Sequence, residues 1–260
     1  MNQRVGIVVP TLGKRSDYLE LCLRSIRAAG DAHILLVAPA SLETSELESA
    51  SLIDSVVIDA GGGPASAINQ GIQALPESVQ YVNWLGDDDL LTAGSLEISA
   101  KVLDSEPKVV MTFGACEYID GNGKFVWENR SGQWAVPLLS FGPDLVPQPG
   151  ALFRRSAFET IGGLNTDFGL AFDFDLFISL AKVGTVKYIN HALAQFRWHP
   201  ESLSVEHRKN SVAEASRVRV SHLPGLLQPI SFIWEYPVRQ ATLIAGQRVT
   251  AKAQSKARRT

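Results

Sequence analysis

The stretch RVGIVVPTLGKRSDYLELCLRSIRAAG, residues 4–30, decides the fold. RVGIVV is a short apolar run rich in valine that stops at Pro10, as expected of a strand buried on both faces. After a turn of small residues the period changes. Leu19, Cys22, Leu23 and Ile26 recur at helical spacing, with Ser16 suited to cap the start and Gly30 the end. A strand that feeds a helix through a tight turn is the opening unit of a parallel sheet.

Working outward, HILLVA (33–38), SVVID (55–59) and QYVNWL (80–85) read as further buried strands. PASAINQGIQAL (64–75) reads as a helix with Pro64 in its first turn. This alternation predicts right-handed crossovers and a nucleotide-binding type of α/β sheet in the first half. The second half is mixed. KVVMTFGACEYID (108–120) predicts a strand, continued by GNGKFVWE (121–128) as a hairpin. GPDLVPQPGALFRRSAFETIGGLN (142–165) begins as a Pro/Gly loop and ends in a short helix. DFDLFISLAKVG (173–184) predicts a helix and TVKYIN (185–190) a strand. The segment 121–150 carries little helical period and is expected to act as a lid over bound ligand.

Composition sets the class. With 45% hydrophobic and 20% charged residues over 260 positions, the chain has the make-up of a globular domain with a large core. A net charge of −3 gives no basis for a nucleic-acid partner. Cys22 and Cys116 lie in apolar contexts and read as reduced core residues of a cytoplasmic protein. The apolar run of MNQRVGIVVPTLG is short for a secretory leader, and no apolar stretch is long enough to span a bilayer. The C-terminus stands apart: LPGLLQPISFIWEYPV is apolar and aromatic, and QRVTAKAQSKARRT after it is basic with no acidic residue. That order suits peripheral contact with the inner face of an anionic membrane. A docked segment with a solvated tail is the alternative.

The chemistry is expected at YVNWLGDDDLL, residues 81–91, where a buried strand runs into Asp87, Asp88 and Asp89. Ligands of open α/β sheets collect outside the carboxyl ends of the strands. At ~4 Å each ionised pair costs about 4 kcal/mol near a protein surface, and a hard divalent cation would offset that cost. A polar turn capping the next helix is the alternative. GGGPASAINQGI (61–72) adds three glycines before a helix N-terminus, where free N–H groups suit an anion or a base edge.

Taken in order, these pieces resemble family 2 glycosyltransferases of the GT-A fold over roughly residues 4–205. The matching segments are VVPTLGKRSDYLELCLRSI, SAINQGI, WLGDDDLL, LFRRSAFETIGGLN, FDFDLFISLAKVG and FRWHPESLS. The resemblance implies an α/β fold with a mostly parallel central sheet flanked by helices. It implies a catalytic domain over 1–206, with a nucleotide-binding half (1–105) and an acceptor half (106–206), followed by a helical extension with a basic tail (207–260). It implies that a nucleotide-sugar donor and a divalent cation, Mn2+ or Mg2+, bind, and that a carbohydrate or lipid-linked acceptor is glycosylated with inversion, as in surface polysaccharide assembly. Asp88, Asp89 and His199 match the metal site. Pro10, Thr11, Gly63, Asn69, Asp87 and Arg197 fall at donor-binding places and Asp173 at the general base, while Asp59, from the third strand, is the candidate to read the base in place of the family's acidic residues.

The base reading has an independent rationale, because Phe172, Phe174 and Phe177 surround Asp173 with apolar groups that would raise its pKa. A helix-capping carboxylate is the competing reading. The chain departs from the family pattern in having Ala38 and Pro39 where acidic residues usually read the base, Ile68 for an Arg, and Phe172 for a Glu. These departures keep a non-catalytic sugar-nucleotide-binding module in view. A sugar nucleotidyltransferase fits less well, since VVPTLGKRS lacks that class's glycine pattern.

Overall fold

The computed structural model describes residues 3–130, 132–198 and 207–257. In chain order the elements are β1 (Val5–Pro10), α1 (Ser16–Ala29), β2 (Ala32–Ala38), α2 (Ser45–Ser49), β3 (Ser55–Ile58), α3 (Pro64–Ala74), β4 (Tyr81–Trp84), β5 (Leu90–Leu91) and α4 (Ser95–Ser105). There follow β6 (Val109–Ile119), β7 (Phe125–Asn129), α5 (Gly132–Leu138), β8 (Leu152–Arg154), α6 (Arg155–Thr160), α7 (Phe172–Val183), β9 (Thr185–Arg197), α8 (Arg208–His222) and α9 (Phe232–Ala257).

Among the described residues the strands form one sheet in the order β3-β2-β1-β4-β8-β6-β9-β5, with β7 paired to β6. β3, β2, β1 and β4 are all parallel, as the βαβ alternation predicts. Beyond β4 the short strand β8 runs antiparallel to β4 and to β6, while β6 and β9 form a long parallel pair. Two apolar layers hold the sheet. One buries Leu19, Cys22, Leu23 and Ile26 of α1 against Ile7, Val9, Ile34 and Leu36. The other packs Ile68 and Ile72 of α3, and Phe174, Phe177 and Ile178 of α7, against the opposite face. Alternate residues of β1 and β2 thus point into different layers, the period-two consequence of a strand covered on both sides. Gly71 lets α3 lie close to the sheet, since a Cβ there would stand 2.5 Å from Val8 Cγ1.

Three local expectations change. Ser16 is the first helical residue of α1, and no side chain caps that helix. The segment 121–150 is not a bare loop, because β7 and α5 form within it. Its Val126 side chain is buried and Trp127 stacks near Tyr118, at 5.1 Å between ring centroids, so tertiary contacts order a stretch without strong local period. The strand expected at 185–190 continues to Arg197, through a register irregularity beside Gly114. At the C-terminus α8 and α9 are joined by a buried ion pair, Arg219 to Glu235 at 2.7 Å, with Ser216 also donating to Glu235. Arg219 Nη1 donates to Gly142 O, tying these helices to the loop after α5.

Candidate active site

The carboxyl ends of β1, β4 and β9 meet at Asp87, Asp88 and Asp89. Each carboxylate has its own protein partner. Thr11, just past β1, donates its hydroxyl to Asp87 Oδ2 at 2.6 Å and accepts the Gly13 N–H at 3.0 Å. Arg15, at the mouth of α1, bridges two carboxylates: Nη2 to Asp87 Oδ1 at 3.1 Å and Nη1 to Asp88 Oδ2 at 3.0 Å. Asp89 turns inward and accepts the Arg197 backbone N–H at 2.9 Å, which pins the loop to the end of β9. Gly86 makes room for the turn, because a Cβ there would sit 3.0 Å from Asp88 Oδ1.

The repulsion that the triplet raised is therefore offset in part by the chain itself. Burial pushes the Asp87 carboxyl up, against the Thr11 hydroxyl and the Arg15 guanidinium, which pull it down. Burial and then the charge of Asp88 hold Asp89 well above its ordinary value, against the Arg197 N–H and guanidinium. Asp89 thus locks the loop through its bond from the Arg197 N–H, and Asp88, whose side chain is 16% exposed, reaches solvent beside Arg15.

Arg197 is 2% exposed and faces the loop from inside. Its Nε donates to Asp88 O at 2.9 Å, and its Nη1 to Asp120 O and Gly121 O at 3.3 and 3.2 Å. The guanidinium also lies 4.5 Å from the ring centroid of Tyr18, whose hydroxyl donates to Gly121 O. At the position for which the sequence reading gave a phosphate contact, these bonds hold the guanidinium against the carboxylate loop. His199 lies outside the described residues.

Asp173 sits in the first turn of α7. That turn is docked beside the end of β4, where Phe172 and Trp84 lie 6.0 Å apart by ring centroids. Its Oδ1 accepts the Phe174 N–H at 2.8 Å, so the carboxylate also satisfies an open donor of the helix. Burial nevertheless dominates and pushes Asp173 to about 6, with the Phe174 N–H pulling the other way. The neighbouring Asp144 is raised by burial and then by the charge of Asp173, against the Val146 N–H and Arg219. Asp144 keeps exposed surface, which limits the burial part of that rise.

The remaining predicted positions line the nucleotide-binding half. Pro10 closes β1, and the Thr11 N–H bonds to Val37 O at 2.9 Å, joining the ends of β1 and β2. Asp59 follows β3 and accepts the Gly61 N–H at 2.8 Å. Gly61, Gly62 and Gly63 all have positive φ (85°, 101° and 88°), a run that only glycine adopts without strain, and it delivers the chain into α3. Asn69 exchanges two hydrogen bonds with the backbone of Leu164, at 2.8 and 2.9 Å, so here it fastens α3 to the segment after α6.

Sequence reasoning missed Arg15 as a partner of the carboxylates. It also missed Asn83, fully buried in β4, which donates to Pro149 O while Gln148 donates to Asn83 Oδ1 and Trp84 O. The signal for Asn83 was an amide in an otherwise apolar strand, which a fully buried position allows only with partners. Arg15 had no such signal, because its partners are over seventy residues away in sequence.

Hard oxygen donors suit Mg2+ or Mn2+, which take one or two carboxylates and complete their shell with water and phosphate. Among the described residues no group of three His, Cys, Asp or Glu side chains is arranged to hold a metal. A site in which the chain supplies Asp88 and its neighbours, and a ligand supplies the rest, fits that donor set.

A family model described as "Glycosyl transferase family 2" matches residues 6–162. An uncharacterized glycosyltransferase of Rickettsia bellii is 23% identical over 210 residues, covering 76% of this chain and 30% of that one. A counterpart from Rickettsia felis is also 23% identical, covering 76% and 34%. The chain thus spans about a third of the length of these curated relatives. Among solved structures, the mannosyltransferase PcManGT from Pyrobaculum calidifontis, in complex with GDP-Man and Mn2+, aligns with a TM-score of 0.63 at 17% identity, covering 98% of this chain and 79% of that one. S. aureus TarS 1-349 in complex with UDP-GlcNAc aligns with a TM-score of 0.63 at 13% identity, covering 87% and 69%.

Proposed function

The chain belongs to glycosyl transferase family 2 and has the GT-A fold, and from that premise we propose that it moves a sugar from a nucleoside diphosphate donor to an acceptor hydroxyl. The observation that carries the reading is the meeting of Asp87, Asp88 and Asp89 at the strand ends, together with the packing of α7, whose first turn holds Asp173, through Phe172 on Trp84 of the preceding strand β4.

The nucleotide lies along Pro10 and Thr11, with Asp59 and Gly63 on the base and ribose side and Asn69 fastening the helix that Gly63 leads into. Asp88, with Asp89 and His199 in support, holds Mn2+ or Mg2+. When bound, that ion neutralises charge developing on the diphosphate leaving group. Arg197 and Asp87 keep the loop in shape. The acceptor hydroxyl attacks the anomeric carbon as the bond to the diphosphate oxygen breaks, which inverts the configuration. Asp173 accepts the hydroxyl proton, and a value near 6 leaves it ionised yet basic at neutral pH. The extension after residue 206 supports acceptor access at a membrane. Leu226, Phe232 and Tyr236 are 92%, 68% and 69% exposed, and the stretch 223–234 carries no charge. No described helix is long and apolar enough to cross a membrane.

A thermal-shift screen of nucleoside diphosphates with and without Mn2+ tests the reading. We expect stabilisation by one nucleotide with Mn2+ present, absent in Asp88→Asn. No shift with any nucleotide in either condition would contradict it.

A further inference from the structure

We propose that Arg15, bridging Asp87 and Asp88, is an exchangeable counter-ion, which keeps the divalent cation from Asp88 until the donor's diphosphate arrives and then turns to that diphosphate. The inference rests on the metal-dependent reading above, and it concerns what stands between the carboxylates and the ion.

Among the described residues two arginines serve the carboxylate loop, and they differ in kind. Arg197 is enclosed and bonded to backbone carbonyls, so its removal would dismantle the loop. Arg15 reaches the loop from the surface. Its side chain is 31% exposed, and it places one nitrogen on Asp87 and another on Asp88. The guanidinium occupies one oxygen of each carboxylate, Asp87 Oδ1 and Asp88 Oδ2, and the side chains of Asp87 and Asp88 are only 10% and 16% exposed, so a cation that uses those oxygens meets the guanidinium there. A single positive charge shared between two carboxylates is weaker than a divalent ion at the same oxygens, yet it is always present at the site. A metal ion alone must displace it into water. A metal ion arriving with a diphosphate offers the guanidinium a new partner of matching planar geometry, to which arginine binds in bidentate fashion. Ion and donor therefore bind with positive coupling, and Arg15 is the positioning residue through which the coupling passes.

Calorimetric titration of Mn2+ into the protein without nucleotide, with the Mn2+ paramagnetic resonance signal as a second readout, tests this. Arg15→Gln is expected to bind Mn2+ alone at least tenfold more tightly than the wild type. Arg15→Lys, whose ammonium cannot bridge both carboxylates with a planar fork, is expected to fall between them. With the nucleoside diphosphate found by thermal shift, wild-type affinity for Mn2+ should rise more than tenfold, and that of Arg15→Gln should rise less. If the wild type takes up Mn2+ with nucleotide but Arg15→Gln binds Mn2+ alone no more tightly than the wild type, the proposal is overturned and the metal-dependent reading stands. If no protein takes up Mn2+ even with nucleotide, the reading itself falls and the proposal with it. Should Arg15→Gln fail to fold by circular dichroism, Arg15→Lys carries the same comparison, and affinity equal to wild type refutes the proposal.

Discussion

Replacing Asp173 with Asn separates a strained acid from a simple helix cap. Burial raises this carboxyl from 3.8 to about 6 in the folded chain. The folded state therefore holds the proton more tightly than the unfolded state. The stability from this group is present in full below pH ~4, is lost as pH rises toward ~6, and stays lost above it. A rise from 3.8 to about 6 corresponds to about 3 kcal/mol at most. The residue retains some solvent contact and the Phe174 N–H bond, so about 1–2 kcal/mol is the working value. The amide oxygen of Asn can keep that bond. Asp173→Asn should thus be more stable than wild type at pH 8 by about that amount, and no more stable at pH 4, as measured by urea denaturation at both values. The same ionisation should govern turnover. Wild-type kcat/KM should fall tenfold per pH unit below about 6, and the variant should lose about 10²–10⁴ in rate. A variant that is destabilised equally at both pH values, with a wild-type rate flat between pH 5 and 7, would refute the reasoning and leave Asp173 a capping residue.

Other expectations follow from single contacts. Arg219→Ala leaves Glu235 buried without its guanidinium and should cost about 3–5 kcal/mol in denaturant melts; Arg219→Met with Glu235→Leu should recover most of it. Asn69→Ala removes both bonds to Leu164 and should cost about 1–3 kcal/mol. Leu226→Ser with Phe232→Ser should abolish co-flotation with anionic vesicles while leaving the melting temperature within a degree or two, since both side chains are exposed.

The first half of the fold was legible because its signals are local. Apolar runs fit strands, Leu19, Cys22, Leu23 and Ile26 fit one helix face, and βαβ alternation leaves little topological choice. The insertion of β8 between β4 and β6 was not legible, since three residues of strand carry almost no periodic signal. The aspartate turn was open to reading as the cap of the next helix, yet Leu90 and Leu91 pair with Gln195 and Ala194 as a two-residue strand. For the site, sequence placed the three aspartates at a strand end but implied an ion alone as their counter-charge. Arg15 and Arg197 reach them only through the fold. Asn69 illustrates the opposite case: its place in a motif marked it as important, and its side chain fastens two segments.

The most direct test of sugar transfer is release of free nucleoside diphosphate from nucleotide sugars in the presence of Mn2+, followed for the wild type, Asp88→Asn and Asp173→Asn. The account predicts turnover with the nucleotide that stabilises the protein, and its loss in both variants with nucleotide binding retained in Asp173→Asn. Tight donor binding by the wild type with no release, across donors and acceptor sugars, would contradict it and make the chain a binding module.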